Sequence, residues 1–265
     1  MPFAVWPFIK LQMTLWQRWI PVFNATISLS HAVKAAMARE HIGSTIVLWN
    51  GIPSSSSCAR PPLSNPPTVA FSGRLVRVKG VDVLIRAFSK VLPVVPSARL
   101  LIAGEGPEKQ RLQRLANRLG IGYCTLFTGF LQARELEQHF ASAWVQAVPS
   151  VWVEALSRAA QEAMMRGTAV IASDIGGLAE IVQNEDTGLL VSANDVKALG
   201  TALLRLLTHR ELAEKMGRAG RRFAVAHFDE NRYIEHLIQL YSNLRMMHRK
   251  TGPQPVFQAA DTVIL

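Results

Sequence analysis

Residues 148–167 read "VPSVWVEALSRAAQEAMMRG", and their reading decides the fold. A strand-like end at Val148 runs into a Pro149-Ser150 turn. Helix formers then continue to Arg166, where Gly167 supplies a stop. Strand, turn and helix in this order form a βα unit. Two carboxylates stand here, Glu154 in the loop and Glu162 inside the helix, in a chain only 18% charged. Ala159, Ala160, Ala163 and Met164 make most sides of the helix small or apolar, which predicts burial. A carboxylate at the start of a buried helix then needs a partner.

Taken as one continuous helix, eight positions at ~100° each put the two carboxylates roughly 80° apart and about 12 Å apart along the axis. That is too far for a shared-proton pair, but it suits two parts of one extended ligand. A carboxylate fits a cis-diol, because its two oxygens can accept from adjacent hydroxyls. The plain alternative is that Glu162 is a surface helix residue.

Outward from this stretch the pattern repeats. Apolar strand-like runs fall at 68–72, 98–103, 124–128, 144–148, 168–172 and 187–191. Segments of helical period lie near 80–92, 107–119, 132–142, 155–166 and 177–183, and helices dominate from 194 to 247. The alternation predicts an α/β fold, a parallel sheet with helices on both faces. In such sheets ligands bind beyond the carboxyl ends of the strands, so the loops there carry the candidates.

After the first strand comes "SGRLVRVKGVD". Gly73 allows a tight exit, and Arg74 and Lys79 bracket a helix entry. Two cations beside helix N-terminal amides suit a diphosphate, while solvated basic residues are the plain alternative. The loop "AGEGPEKQ" invites a dinucleotide reading, but the third glycine of G-x-G-x-x-G would fall on Lys109, so the fingerprint fails. Pro107 at a first helical turn is the better account. In "SDIGGLAEIV", Gly176 and Gly177 could offer backbone amides to an anion or sugar. Asp174 is either a helix cap or a ligand to a hydroxyl.

With 265 residues, 49% of them hydrophobic, the chain is long enough for one large or two small globular domains. Cys58 and Cys124 show no metal-ligand spacing and suggest a reducing compartment. The formal charge is +10, and residues 205–250 hold ten Lys/Arg against five Asp/Glu. Such a balance can serve anionic substrates, anionic membranes or nucleic acid. No nucleic-acid-binding motif is present, which argues against the last. Three of the six Trp lie in the first 23 residues, where Lys10, Gln12, Gln17 and Arg18 break the apolar run short of a membrane span. This start reads as a helix or loop whose apolar face packs on something, with an interfacial amphipathic segment as the alternative. Residues 53–67, rich in Pro and Ser, read as a linker.

The chain resembles the C-terminal domain of the retaining glycosyltransferases of the GT-B fold, family 4. The matching stretches are "FSGRLVRVKGVDVLIRAF", "LLIAGEGPE", "FTGF", "VPSVWVEALSRAAQEAMMRGTAVIASDIGGLAEIV" and "TGLLV". The E-x7-E spacing with its flanking elements is the specific part. The resemblance implies a Rossmann-like domain over 68–247 that binds a nucleotide sugar, with a tail at 248–265. By position, Arg74 and Lys79 match the basic pair that holds the donor diphosphate. Glu162 matches the ribose-binding Glu, and Glu154 the Glu beside the donor sugar. Backbone near Gly73, Leu156, Ser157, Gly176 and Gly177 would face sugar and phosphate oxygens. Many members have Phe-Gly where this chain has Leu156-Ser157.

Residues 24–52 resemble the last strand-helix-strand of the family's N-terminal domain, so residues 1–52 are expected to be a remnant of an acceptor-side domain that is otherwise missing. The implied reaction is transfer of a sugar from a UDP-, GDP- or ADP-sugar to an acceptor hydroxyl, with retention and without a cofactor or metal. The acceptor would be a sugar or lipid-linked, and the setting cytoplasmic, with contact to the inner membrane face or a partner chain through residues 1–52. Two alternatives stay open: a non-catalytic nucleotide-sugar-binding module, and a nucleotide-sugar epimerase or sugar phosphorylase on the same fold.

Overall fold

A computed structural model describes residues 6–19, 22–43, 45–53 and 60–251. The chain divides into two compact units, one of residues 1–51 with 230–265 and one of residues 52–229. The sequence boundary at 247 therefore moves: the last helix belongs with the N-terminal segment. That helix continues to Thr251, past the expected start of the tail at 248, and the rest of the tail lies outside the described residues.

In the first unit, α1 spans Trp6–Trp19, β1 Thr26–Ser28, α2 His31–Arg39 and β2 Thr45–Val47. Ser30 caps α2, its hydroxyl accepting from the Val33 amide at 3.2 Å. β1 and β2 pair in parallel with Thr26 opposite Thr45, the strand-helix-strand expected for residues 24–52. The expected packing of α1 is not found among the described residues. Its Phe8, Leu11, Leu15, Trp16 and Trp19 are 50% to 75% exposed.

The second unit is the βα alternation. Its elements are β3 (Thr68–Ser72), α3 (Val81–Ser89), β4 (Arg99–Ala103), α4 (Lys109–Arg118), β5 (Thr125–Gly129), α5 (Ala133–Phe140), β6 (Val145–Val148), α6 (Arg158–Arg166), β7 (Ala169–Ser173), α7 (Leu178–Ile181), β8 (Gly188–Val191), α8 (Val196–Thr208) and α9 (Arg210–His227). A final helix, α10 (Glu230–Thr251), falls in the first unit. The six strands form one parallel sheet in the order β5-β4-β3-β6-β7-β8.

The sheet is apolar on both faces, as a parallel sheet must be. Val69, Phe71, Leu100 and Ile102 join a core with Leu84, Ile85 and Phe88 of α3, Leu112 and Leu115 of α4, and Leu203 and Leu206 of α8. The alternate residues Ala70, Leu101 and Ala103 pack with Phe140 of α5. Period-two alternation thus divides each strand between two helix layers.

The expected linker is only partly one. Residues 54–59 lie outside the described residues, but residues 60–67 are bound to the sheet domain. Leu63 is buried, Ser64 donates its amide to the Ser142 carbonyl at 2.8 Å, and the Trp144 indole donates to the Ser64 carbonyl at 2.7 Å. Arg60 donates to three carbonyls: Ala141 at the end of α5, Gly167 at the end of α6, and Ala143 ahead of β6. Helix C-termini leave carbonyls without intrahelical donors and carry negative partial charge, so a guanidinium suits them. Burial, and secondarily the charge of Arg166, lower the Arg60 pKa to about 10, so it stays protonated at neutral pH.

Replacing Arg60 strands these acceptors in the interior, at roughly 1–3 kcal/mol for an unsatisfied buried group. Arg60→Ala is expected to destabilise the sheet domain by about 3 kcal/mol in urea denaturation followed by circular dichroism. A loss below about 0.5 kcal/mol, the range of ordinary surface changes, would remove the clamp from the account.

Candidate functional site

β3 is the centre of the sheet, and the chain departs from it toward β4 on one side and toward β6 on the other. At such a switch point the loops leaving the two strands part and open a crevice. The loops that border it are residues 73–80 after β3 and 149–157 after β6.

These loops touch at one place. Gly80 has φ +64, and a Cβ there would lie 1.9 Å from the Pro149 carbonyl oxygen. Only glycine permits both the left-handed backbone and the approach. Beside it the Val151 amide donates to the Val78 carbonyl at 2.9 Å. This brings Lys79 Nζ to 2.7 Å from Glu154 Oε1, with the Ser150 hydroxyl donating to the same oxygen. The Glu154 side chain is 12% exposed and Lys79 28%. A buried carboxylate needs such partners, and here the partner of the first glutamate is the second basic residue.

A cleft of 410 Å³ opens at the ends of β3, β4 and β5. Gly73 and Arg74 form one wall and Glu162 and Arg158 of α6 another, with Phe130, Leu131 and Leu136 adding an apolar side. Glu162 Oε1 accepts from Arg158 Nε at 2.8 Å. Arg74 is exposed and makes no ion pair among the described residues.

The wall is fixed from behind. Gln146 of β6 donates its Nε2 to Ser72 Oγ and to the Ala159 carbonyl, both at 3.0 Å, so one amide ties the end of β3 to the first turn of α6. Its Oε1 accepts from Arg166 at 3.1 Å, and Arg166 forks onto both oxygens of Glu137 at 3.0 and 2.7 Å. Arg166 is 4% exposed at its side chain. This buried charge is thus paired bidentately, the geometry arginine is built for.

Gly73, Arg74 and Glu162 share the cleft. Lys79 and Glu154 do not line it and are joined to each other rather than arrayed with Arg74. Leu156 is half-buried and Ser157 is the buried residue before α6; neither lines the cleft. Four expectations need correction. Glu154 lies four residues ahead of α6, so helical geometry does not set its separation from Glu162. The Gly177 amide is not open to a ligand, because it donates to the Glu154 carbonyl at 2.9 Å. Asp174 does not cap a helix, since α7 begins after Gly177. Pro107 falls in the turn before α4, not in its first turn.

Arg158, Glu105 and the apolar wall were not among the candidates. Arg158 had a signal in the sequence, a cation four residues ahead of a glutamate. Among the described residues no three His, Cys, Asp or Glu converge as metal ligands. No helix there is long and apolar enough to cross a membrane.

The fold and site define an α/β unit whose parallel sheet carries, at the carboxyl ends of its strands, a cleft lined by basic and acidic side chains. Residues 59–223 match the family described as glycosyl transferases group 1. The chain belongs to that family, and its sheet domain has the GT-B architecture. It is 37% identical over 189 residues to the GDP-mannose-dependent alpha-(1-6)-phosphatidylinositol monomannoside mannosyltransferase of Mycolicibacterium smegmatis, covering 69% of this chain and 50% of that protein. Among solved structures it is similar to sucrose-phosphate synthase of Thermosynechococcus elongatus, at 27% identity and a TM-score of 0.78, covering 90% of this chain and 62% of that one. It is also similar in fold to Anabaena Alr3699/HepE crystallised with UDP and glucose, at 22% identity and a TM-score of 0.73, covering 83% and 63%. The chain spans about half the length of the curated relatives it matches.

Because Glu154 is the more buried member of its pair, removing Lys79 alone leaves a carboxylate facing the interior. Lys79→Met should cost about 2 kcal/mol, discounted for the partial exposure of Lys79, whereas Lys79→Met with Glu154→Gln should cost less. Additive losses in a thermal or urea double-mutant cycle would show that the two groups do not couple.

Proposed function

We propose that this chain supplies the donor-binding half of a retaining glycosyltransferase, which moves a sugar from a nucleoside-diphosphate sugar to an acceptor hydroxyl. The observation that supports it most is one cleft shared by Arg74 and Glu162, at the carboxyl ends of the strands. A carboxylate opposite a free guanidinium suits a ligand that carries a diol at one end and an anion at the other.

In this reading Glu162 accepts hydrogen bonds from the ribose diol and Glu154 stands by the donor sugar. Cleavage of the sugar–phosphate bond builds negative charge on the diphosphate. The reading assigns its stabilisation to Arg74, Lys79, the Gly176 amide and the first-turn amides of α6, and such preorganised charge is commonly the largest catalytic term. The family resemblance carries the expectation that no metal is needed. Holding the acceptor in reacting position falls to the other half of the two-domain architecture, where positioning is worth several kcal/mol or more.

The named mycobacterial relative depends on GDP-mannose and the Anabaena structure holds UDP, so a nucleoside diphosphate is the common chemistry. The mycobacterial relative's acceptor is a phosphatidylinositol monomannoside. With the exposed Phe and Trp residues of α1, this supports a lipid-linked acceptor and a cytoplasmic enzyme resting on the inner membrane face through residues 1–52.

Calorimetric titration with UDP, GDP and ADP is expected to show sub-millimolar binding of at least one. Glu162→Ala should weaken it tenfold or more, the size of a lost charge-assisted hydrogen bond. Absence of binding to the unsubstituted chain would end the donor-site reading. For the membrane contact, the chain should co-sediment with vesicles containing phosphatidylglycerol, and Trp16→Ser with Trp19→Ser should release it; equal sedimentation of both would place the contact elsewhere.

A further inference from the structure

Arg158 is the first residue of α6, and helix physics gives no reason for it to be there. The N-terminus of a helix carries positive partial charge, so a cation in the first turn is disfavoured. An arginine four residues ahead of a glutamate is also the weaker orientation of such a pair. With the Arg158 side chain 67% exposed, the pair adds little stability. Residues that break a local rule without a stability gain tend to mark functional positions.

The surroundings say what that function is. Arg158 lines the same cleft as Arg74 and Glu162. Its Nε holds one oxygen of Glu162 at 2.8 Å, and its terminal NH2 groups make no hydrogen bond among the described residues. The first-turn amides of α6 lie beside it without intrahelical acceptors. An anion at this place would resolve each unfavourable feature at once, neutralising the cation that opposes the dipole and filling the open donors.

We propose that Arg158 is a third basic ligand of the donor diphosphate and couples it to the ribose. Its Nε keeps the Glu162 carboxylate turned into the cleft, and its terminal nitrogens take a phosphate oxygen. This rests on the donor-site reading above and adds to it a residue that joins the two ends of the nucleotide.

The test compares diphosphates with the matching nucleosides. On the full chain, Arg158→Ala should weaken binding of whichever of UDP, GDP or ADP binds best by about tenfold, as expected for loss of a hydrogen bond to a charged group. Binding of the corresponding nucleoside, read by competition or by NMR shift, should weaken by a clearly smaller factor, about twofold to threefold, because it loses only the orientation of Glu162, and Arg158→Lys should restore part of the diphosphate affinity. Thermal melting should be unchanged or raised, since a cation leaves the positive end of a helix. Equal loss for nucleoside and diphosphate would overturn the phosphate contact and leave Arg158 acting through Glu162 alone. Unchanged diphosphate binding would overturn the proposal outright. Failure of the unsubstituted chain to bind any diphosphate would instead remove the donor-site reading on which it rests.

Discussion

The site depends on the contact of two loops across the switch point of the sheet. β3 has β4 on one side and β6 on the other, so the loops that leave β3 and β6 must part at the edge of the helices. They are closed again at their base by Gly80 against Pro149, by the Val151–Val78 hydrogen bond, and by Lys79 on Glu154. With the base held, the mouth stays open between Arg74 and Glu162. Arg74 makes no ion pair among the described residues, so the scaffold has to enforce its position. Here the enforcing elements are strand order and a glycine.

Behind the mouth, polar groups do what apolar packing alone could not. Gln146 reaches from the middle of the sheet to Ser72 and to the Ala159 carbonyl, and Arg166 reaches from it to Glu137. Such a network is costly if any member is unpaired and rigid if all are paired. It fixes the rotation of α6, and with it the direction in which Glu162 and Arg158 point. Arg60 does the same at the far end of α6, where it also secures α5.

Most of this fold is legible in the sequence because it follows period and punctuation. β3 falls at 68–72 as read, and the other strands of the sheet start within one residue of their apolar runs. The candidate residues that share the cleft, Gly73, Arg74 and Glu162, were readable because each stands at a strand end or in the helix that follows. What was not readable depended on contacts far apart in sequence. Lys79 and Glu154 are 75 positions apart, and nothing local says that they neutralise one another. The Gly177 amide looked available because its acceptor, the Glu154 carbonyl, comes from another βα unit. The second half of the Pro/Ser-rich segment looked like a free connector, and the acceptors that hold Arg60 lie more than 80 residues on. Arg158 is the reverse case, a local irregularity visible in the sequence whose meaning appears only beside the cleft.

Lys79 is already committed to Glu154, and this bears on how fast an anionic ligand could arrive. The pair is close to neutral when viewed from solvent, so the short-range attraction of the mouth falls to Arg74. At longer range the formal charge of +10 acts on an incoming anion and is screened within about 8 Å at physiological ionic strength. Encounter should therefore slow steeply as salt is added, while escape, governed by contacts inside the cleft, should respond far less. The ion pair at the base of the site would thereby separate the kinetics of capture from the strength of retention.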